Sequence, residues 1–337
     1  MNQSAVAPLG VLLVNLGTPD APEPAAVRRY LAQFLSDPRV VELPKLFWQP
    51  LLRGVVLPLR AKKSAAAYAA VWEKETNESP LRSVTRAQSK ELAERLRGGA
   101  SGASPIIVDF AMRYGAPSLQ AGLTVLMSRG CERILILPLY PQYAAATTAT
   151  AFDAVARVLA DMRRQPTLRF LPPYFDDPAY IDALAASLRA GVAALDFEPE
   201  VILASFHGLP QAQIDAGDPY KAHCETSWRL LREAMGLSER RLRLSFQSRF
   251  GRAKWIEPFT ANVVAELVRD GVKRLVVVTP GFSADCLETI EEIGVETRDA
   301  FLQAGGEKFA RIPCLNSGEE GMRLLETLAR RELSGWA

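Results

Sequence analysis

Short runs of consecutive apolar residues alternate along the chain with stretches whose apolar positions recur every three to four residues. The runs are GVLLVNLG (10–17), PIIVDFAM (105–112), RILILPLY (133–140), TLRFLPP (167–173), VILASF (201–206), RLRLSF (241–246), RLVVVTP (274–280) and FARIP (309–313). Unbroken apolar runs of this length predict strands covered on both faces, as in parallel sheets. The stretches between them, such as AAVRRYLAQFL, SLQAGLTVLMSRG and FTANVVAELVRDG, predict amphipathic helices. Strand and helix alternate, which argues an α/β chain with right-handed crossovers.

The pattern occurs twice. VLLVNLGTP echoes ILASFHGLP, FAMRYG (110–115) echoes FQSRFG (246–251), and GCERILILPLYPQYA echoes GVKRLVVVTPGFSAD. Two similar domains follow, each with a four-stranded parallel sheet flanked by helices, over residues 1–165 and 166–314. A helix in 315–337 is expected to pack back onto the first. Ligands of open α/β sheets bind beyond the carboxyl ends of strands. Those ends carry Asn15, Arg113, Tyr140, His207, Gln247 and residues 282–285.

Residues 25–97 form an oversized insertion between the first two strands. Within it, 43–63 (LPKLFWQPLLRGVVLPLRAKK) is apolar and aromatic with interspersed cations. Leu46, Phe47, Trp48, Leu51, Leu52, Val55, Val56 and Leu57 either build a buried connection or form a hydrophobic lip that meets a lipid surface. Pro44, Pro50, Arg53 and Pro58 interrupt it too often for a bilayer span.

Composition narrows the classes of function. Forty Lys+Arg balance thirty-eight Asp+Glu, for a formal charge of +2, which is no nucleic-acid footprint. A hydrophobic fraction of 48% with 23% charged residues is that of a globular protein. The first residues show no basic segment followed by an apolar stretch, so no secretion signal is expected. Four cysteines, at 131, 224, 286 and 314, make neither a CxxC knuckle nor a disulfide framework. A reducing, cytoplasmic setting is expected.

Several chemistries lack their motif. No P-loop is present, and no GxGxxG follows the first strand, so no nucleotide is expected. GGASG (98–102) precedes a strand and reads as a turn. Neither GxSxG nor HExxH occurs. Of two histidines, His207 follows a strand directly. It is either a buried structural histidine or a general base or metal ligand. His223, in a predicted helix beside Tyr220, Cys224, Trp228 and Leu231, reads as structural. Asp285 followed by Glu288 resembles a capping box. On an α-helix, Glu288, Glu292 and Glu296 would repeat on one face at about 6 Å per step. That row is either a solvated acidic face or a set of carboxylates suited to proton relay and cation handling. Arg60, Lys63, Arg113, Tyr140, Trp255 and Phe282 together suggest a large flat ligand bearing carboxylates.

At these residues the chain resembles the ferrochelatases, bacterial type. The resemblance runs from about residue 10 to 316. It rests on VNLGTP (14–19), RxxKSxxxY (60–68), SPL (79–81), RYGxP (113–117), PLYPQY (138–143), SFHGLP (205–210), FQSRFG (246–251) and PGFSADCLETIEEI (280–293). It implies the Rossmann-like chelatase fold without a nucleotide, and insertion of Fe2+ into protoporphyrin IX, with release of two protons, as the last step of heme biosynthesis. Alternatives are a chelatase for cobalt or coproporphyrin and a non-enzymatic porphyrin carrier. The resemblance makes His207 and Glu288 catalytic, and His207, Glu288 and Glu292 the residues that handle the metal. Asp285 supports their segment. It sets Asn15, Leu16, Arg60, Tyr68, Ser79, Arg113, Tyr140, Trp255 and Phe282 at porphyrin-binding positions, with Arg60 and Ser79 where propionates are held. Cys286 stands where many relatives carry histidine. Cysteines that bind an iron–sulfur cluster in some relatives have no counterpart after Cys314, so no cluster is expected. The apolar porphyrin suits weak, peripheral association with the inner membrane.

Overall fold

A computed structural model describes residues 7–97, 104–251 and 253–336. The turn expected at 98–102 lies outside them. Every apolar run of the sequence forms a strand: β1 (Leu9–Gly17), β2 (Ile106–Tyr114), β3 (Arg133–Pro138), β4 (Thr167–Phe170), β5 (Val201–His207), β6 (Leu242–Gln247), β7 (Arg274–Val278) and β8 (Lys308–Arg311). They make two four-stranded sheets in the orders β2-β1-β3-β4 and β6-β5-β7-β8, parallel throughout. The topological repeat matches the sequence repeat.

The reason lies in the covered faces. In the first sheet, Leu12, Val14, Ile134 and Ile136 pack with Leu119, Leu123 and Leu126 of the helix Leu119–Ser128 and with Val155 of the helix Thr150–Ala160. In the second, Leu203, Leu275 and Val277 pack with Val263 and Leu267 of the helix Thr260–Arg269 and with Ile293 and Phe301. Each such side chain contributes roughly 1.5–3 kcal/mol on leaving water. Alternating polarity would have left one face of each sheet wet.

The chain divides into two compact units. One holds residues up to Leu139, with Ala145–Pro172 and the stretch from Met322 onward; the other holds Tyr140–Ala144 and Pro173–Gly321. β4 pairs with β3 and so lies in the first unit; the boundary read from the sequence, 165/166, falls just ahead of it. Buried Gln142 ties residues 140–144 to the second unit, donating to Ser227 Oγ (3.0 Å) and Tyr180 Oη (3.3 Å). The helix Glu319–Leu333 meets the first unit through Arg330, which donates to the Arg95 carbonyl (2.7 Å). Arg169 also donates to the Ser334 carbonyl (2.9 Å).

Three helical segments widen into π-helix: Leu52–Val56, Ala145–Ala149 and Glu288–Thr297. The last corrects an expectation. The acidic residues are carried by a ten-residue π-helix, not an α-helix; such widening is rare and concentrates at functional sites. Glu288 and Glu292 are half-buried there, and Glu296 is exposed. The capping box between Asp285 and Glu288 does not form either. The Cys286 N–H donates to Thr289 Oγ1 (3.0 Å), and the Thr289 hydroxyl donates to Asp285 (2.8 Å). Thr289 thus reaches back, one position later than expected, and leaves the Glu288 carboxylate to other work.

The insertion resolves into the helix Lys45–Leu51, the π-turn, and the helix Leu57–Val71. Leu52 and Leu57 are buried, whereas Leu46 is 80% and Phe47 75% exposed, beside exposed Leu43, Leu51, Val55 and Leu59. Trp48 is half-buried, its indole N–H donating to the Leu35 carbonyl (2.6 Å). The segment is therefore a connection on one side and an apolar surface on the other. Among the described residues no helix is long and apolar enough to cross a membrane.

Candidate active site

In the second unit, sheet register brings the acid–base residues together. His207 ends β5 and stands opposite Gln247 at the end of β6. Gln247 is buried and donates Nε2 to the Glu288 carbonyl (3.1 Å) and to Glu292 Oε2 (3.3 Å). Ser248 donates its N–H to Glu292 Oε1 (2.6 Å) and its hydroxyl to Oε2 (2.5 Å). The strand ends and the π-helix thus meet through one amide and one carboxylate.

His207 is half-buried, with Nδ1 2.6 Å from the Gly208 carbonyl oxygen. That oxygen only accepts, so the contact fixes the proton on Nδ1 and leaves the Nε2 lone pair as the acceptor of the neutral ring. Burial pushes the Glu292 carboxyl up. The Ser248 hydrogen bonds and the nearby His207 oppose that rise, and Glu288 adds to it. Asp285 is buried and saturated: Arg311 (2.5 Å), Thr289 (2.8 Å), Asn316 Nδ2 (2.8 Å) and the Cys314 N–H (3.5 Å) all donate to its carboxylate. It anchors the entry to the π-helix and has no part left for chemistry.

Trp255 is buried, with Phe250 edge-on at 4.9 Å. Its indole N–H has no hydrogen-bond partner among the described residues. The ring lies so close over Gly208 that a Cβ there would sit 3.2 Å from it and 2.8 Å from the Gln247 carbonyl oxygen, so only glycine fits. Tyr140 is buried, and half-buried Phe282 closes a turn onto the Thr279 carbonyl (3.1 Å). His223 stacks on Phe175 (3.6 Å between ring centres) and accepts the Tyr143 N–H at Nδ1 (3.2 Å), a structural role.

The first unit holds the other expected residues. Asn15 is buried, donating to Thr85 Oγ1 (3.0 Å) and accepting the Leu16 N–H (2.9 Å). Leu16 is half-buried. Ser79 caps the helix Pro80–Leu96, accepting the Arg82 N–H (3.3 Å). Arg60 is half-buried, and burial lowers the hold of its guanidinium on its proton. Tyr68 is buried edge-on to Tyr30 at 6.4 Å. Arg113 differs from the rest. Buried Asp37 takes its Nη2, and Thr150 accepts from its Nε at the carbonyl (2.9 Å) and hydroxyl (2.8 Å).

Sequence reasoning missed Ser248, Thr289 and Asn316. Ser248 had a signal: in FQSRFG two polar residues follow the apolar core of β6 at its carboxyl end, where the echo FAMRYG has Ala111 and Met112. The other two reach their partners through backbone paths that no spacing rule predicts.

A family model described as Ferrochelatase matches residues 8–333. The chain is 55% identical over 329 residues to the ferrochelatase of Methylocella silvestris, covering 97% of this chain and 94% of that one. It is 54% identical to the ferrochelatase of Mesorhizobium japonicum, covering 97% and 92%. Among solved structures it is similar to SirB from Bacillus subtilis with Fe3+ (TM-score 0.57, 12% identity, 98% of this chain and 97% of that one). It is also similar to the sirohydrochlorin chelatase SirB from Bacillus subtilis subspecies spizizenii in complex with cobalt (TM-score 0.53, 11% identity, 96% and 95%). At those identities the likeness is one of fold.

Proposed function

The chain belongs to the ferrochelatase family, whose reaction seats Fe2+ in protoporphyrin IX and releases two protons, and on that premise we propose which residues perform it. His207 accepts the pyrrole protons at Nε2. Glu288 and Glu292 hold the incoming iron and carry protons away along the π-helix. The observation that carries this reading is the convergence of His207, Gln247, Glu288 and Glu292 at the ends of β5 and β6. A neutral imidazole with a fixed tautomer suits proton acceptance at physiological pH. Carboxylates are hard oxygen ligands and hold a hydrated divalent cation without trapping it.

The porphyrin contacts in this reading are Asn15, Leu16, Arg60, Tyr68, Ser79, Tyr140, Trp255 and Phe282. Arg60 and Ser79 meet the propionates. Burial of the Arg60 guanidinium favours a carboxylate partner, since an ion taken from water gains most from a charged hydrogen bond. The Trp255 N–H, buried without a partner among the described residues, is an outlying cost that a bound ligand would relieve. Arg113 is engaged by Asp37 and Thr150 inside the first unit, so its part in this reading is to brace the end of β2. The apolar surface around Leu46 and Phe47, with Arg53, Lys62 and Lys63 exposed beside it, supports weak peripheral binding to anionic lipid. No iron–sulfur cluster or nucleotide enters this reading. Cys131 lies in the first unit and Cys224, Cys286 and Cys314 in the second, and Cys131, Cys224 and Cys286 are buried.

The test is anaerobic iron insertion into protoporphyrin by His207→Ala. A lost general base lowers turnover about 10²–10⁴-fold, while porphyrin binding, followed by fluorescence, stays close to the parent. His223→Ala serves as the control and retains activity. Turnover by His207→Ala close to the parent's sinks the assignment.

A further inference from the structure

We infer that Ser248, backed by Gln247, is a positioning residue that aims the Glu292 carboxylate at the arriving cation. The inference rests on the metal role proposed above for Glu292.

The local backbone is the first observation. Ser248 lies just past β6 with φ +66°, in the left-handed region. Non-glycine residues occupy that region in only a few per cent of cases, and they persist where the surrounding structure compensates the strain. Here the turn has a visible consequence. It points the N–H and the hydroxyl of one residue at the two oxygens of one carboxylate, at 2.6 and 2.5 Å. An extended residue would direct its N–H and its side chain apart.

The second observation is the occupancy of that carboxylate. Glu292 Oε1 accepts the Ser248 N–H, and Oε2 accepts the Ser248 hydroxyl and Gln247 Nε2. An ionised carboxylate has about four lone-pair sites. Among the described residues these three donors leave one direction open, enough for a single-oxygen or water-mediated hold on a divalent cation and too little for a two-oxygen grip. Such a ligand passes a cation onward instead of keeping it.

The third observation is what holds Gln247. The Glu292 carboxylate and the Glu288 carbonyl can only accept, so the amide nitrogen must face them. Oε1 then faces Ser205, whose hydroxyl donates to it (2.9 Å). Thr260 Oγ1 lies 2.8 Å from Ser205 Oγ and 2.9 Å from Ser245 Oγ. All four of these polar residues are buried in the second unit. A buried, satisfied chain of this kind fixes orientation, because any rotation leaves a group unpaired.

Ser248 touches no reacting atom, so its effect should fall on iron and not on porphyrin. Partners that orient a metal ligand typically matter about 10–100-fold in metal affinity or activity. The experiment measures KM for Fe2+, KM for protoporphyrin and kcat on the full chain under anaerobic conditions. The variants are Ser248→Ala, Ser248→Gly, Glu292→Gln and the double variant Ser248→Ala/Glu292→Gln. Ser248→Ala is expected to raise the iron KM about 10–100-fold, with the porphyrin KM unchanged within roughly twofold. Ser248→Gly should match it: glycine accepts the left-handed φ freely, so a shared defect is due to the lost hydroxyl, and glycine also covers the case in which alanine fails to fold. In the Glu292→Gln background, Ser248→Ala should add nothing further. A normal iron KM in Glu292→Gln overturns the metal reading of Glu292 and the inference with it. A raised iron KM in Glu292→Gln together with a normal one in both Ser248 variants overturns only the inference. So do effects that multiply in the double variant.

Discussion

The two units share a strand order and a π-helical entry after their third strand, yet their polar interiors differ. The first unit carries Ala111 and Met112 where the repeat gives the second Gln247 and Ser248, and buried Ala151 where it gives the second Glu292. The threonine of the entry is kept: Thr148 and Thr289 occupy matching positions, and both are buried. The arginine of the shared FxxRxG motif is kept too, but for different ends. Arg113 is buried against Asp37, whereas Arg249 is exposed and lies over the Phe259 ring at 4.7 Å. One frame therefore supports two solutions. The first unit closes its charges on each other. The second spends the same positions on half-buried carboxylates that no lysine or arginine pairs with among the described residues, a costly arrangement to leave without function.

The largest expected effect breaks the first solution. Although burial raises the Asp37 carboxyl, the Thr150 hydroxyl, the Arg39 amide, the Arg113 charge and the Tyr114 hydroxyl together hold it below its usual range. Arg113→Ala leaves that carboxylate buried and unpaired, at about 3–5 kcal/mol of stability. Arg249→Ala loses only an exposed cation–aromatic contact, about 0.5–1 kcal/mol. Urea unfolding of the two variants measures the difference; equal midpoints would erase this contrast between the units.

Next in size is the carboxylate of the second unit. Glu288→Gln keeps the volume and removes the charge. Turnover at low iron should fall about 10–100-fold, as for a lost metal-handling group, with thermal stability unchanged or raised because a half-buried charge is gone. A variant that inserts iron normally at low iron would make the acidic π-helix a solvated face after all.

A smaller effect concerns the two histidines, both in the second unit. Burial lowers the His223 pKa from its ordinary 6.5, against the pull of Asp176 and Asp218. Above the ordinary pKa the ring is neutral folded or unfolded, and its contribution to stability is complete. As pH falls below it, the unfolded chain takes up the proton first, so that contribution is lost towards the folded pKa. His223→Gln keeps an acceptor for the Tyr143 N–H and cannot titrate. Its urea midpoint should therefore drop less than the parent's between pH 7.5 and 5.5. An equal drop would place the acid sensitivity elsewhere.

How much of this was legible depended on what each feature rests upon. Strands β1 to β8 were readable because a two-sided sheet demands unbroken apolar runs, and RILILP or RLVVV admits little else. His207 was readable because a polar residue ended such a run. The π-helix was not: Glu288, Glu292 and Glu296 look equally regular on an α-helix, and the wider winding is set by packing, with Thr297 Oγ1 donating to the Glu292 carbonyl five residues back (2.8 Å). Nor was the fate of Arg113, because its partner Asp37 lies 76 residues away. The anchoring of Trp48 to Leu35 was hidden because an aromatic in an apolar stretch gives no sign that its N–H is already in use.

The last contrast is the insertion between β1 and β2, whose run of exposed large apolar residues has no equivalent among the described residues of the second unit. Leu46 and Phe47 project from it, while Trp48 is tied to Leu35. Substituting Trp48 would disturb the fold, so Leu46→Ser and Phe47→Ser are the informative apolar changes. The smallest step is a single charge. Lys62 is exposed just beyond the apolar residues, and one such cation is worth about 1 kcal/mol near an anionic surface. Lys62→Ala should thus weaken binding to phosphatidylserine-containing vesicles roughly fivefold, leave binding to neutral vesicles as it was, and leave iron insertion into dissolved porphyrin untouched. Binding of the parent should itself decline as salt is raised, since the attraction is screened within about 10 Å at 0.1 M. Flotation at low and high salt reads all of these. An unaltered vesicle-bound fraction for Lys62→Ala together with Leu46→Ser and Phe47→Ser would leave the exposed face of the insertion without a lipid partner.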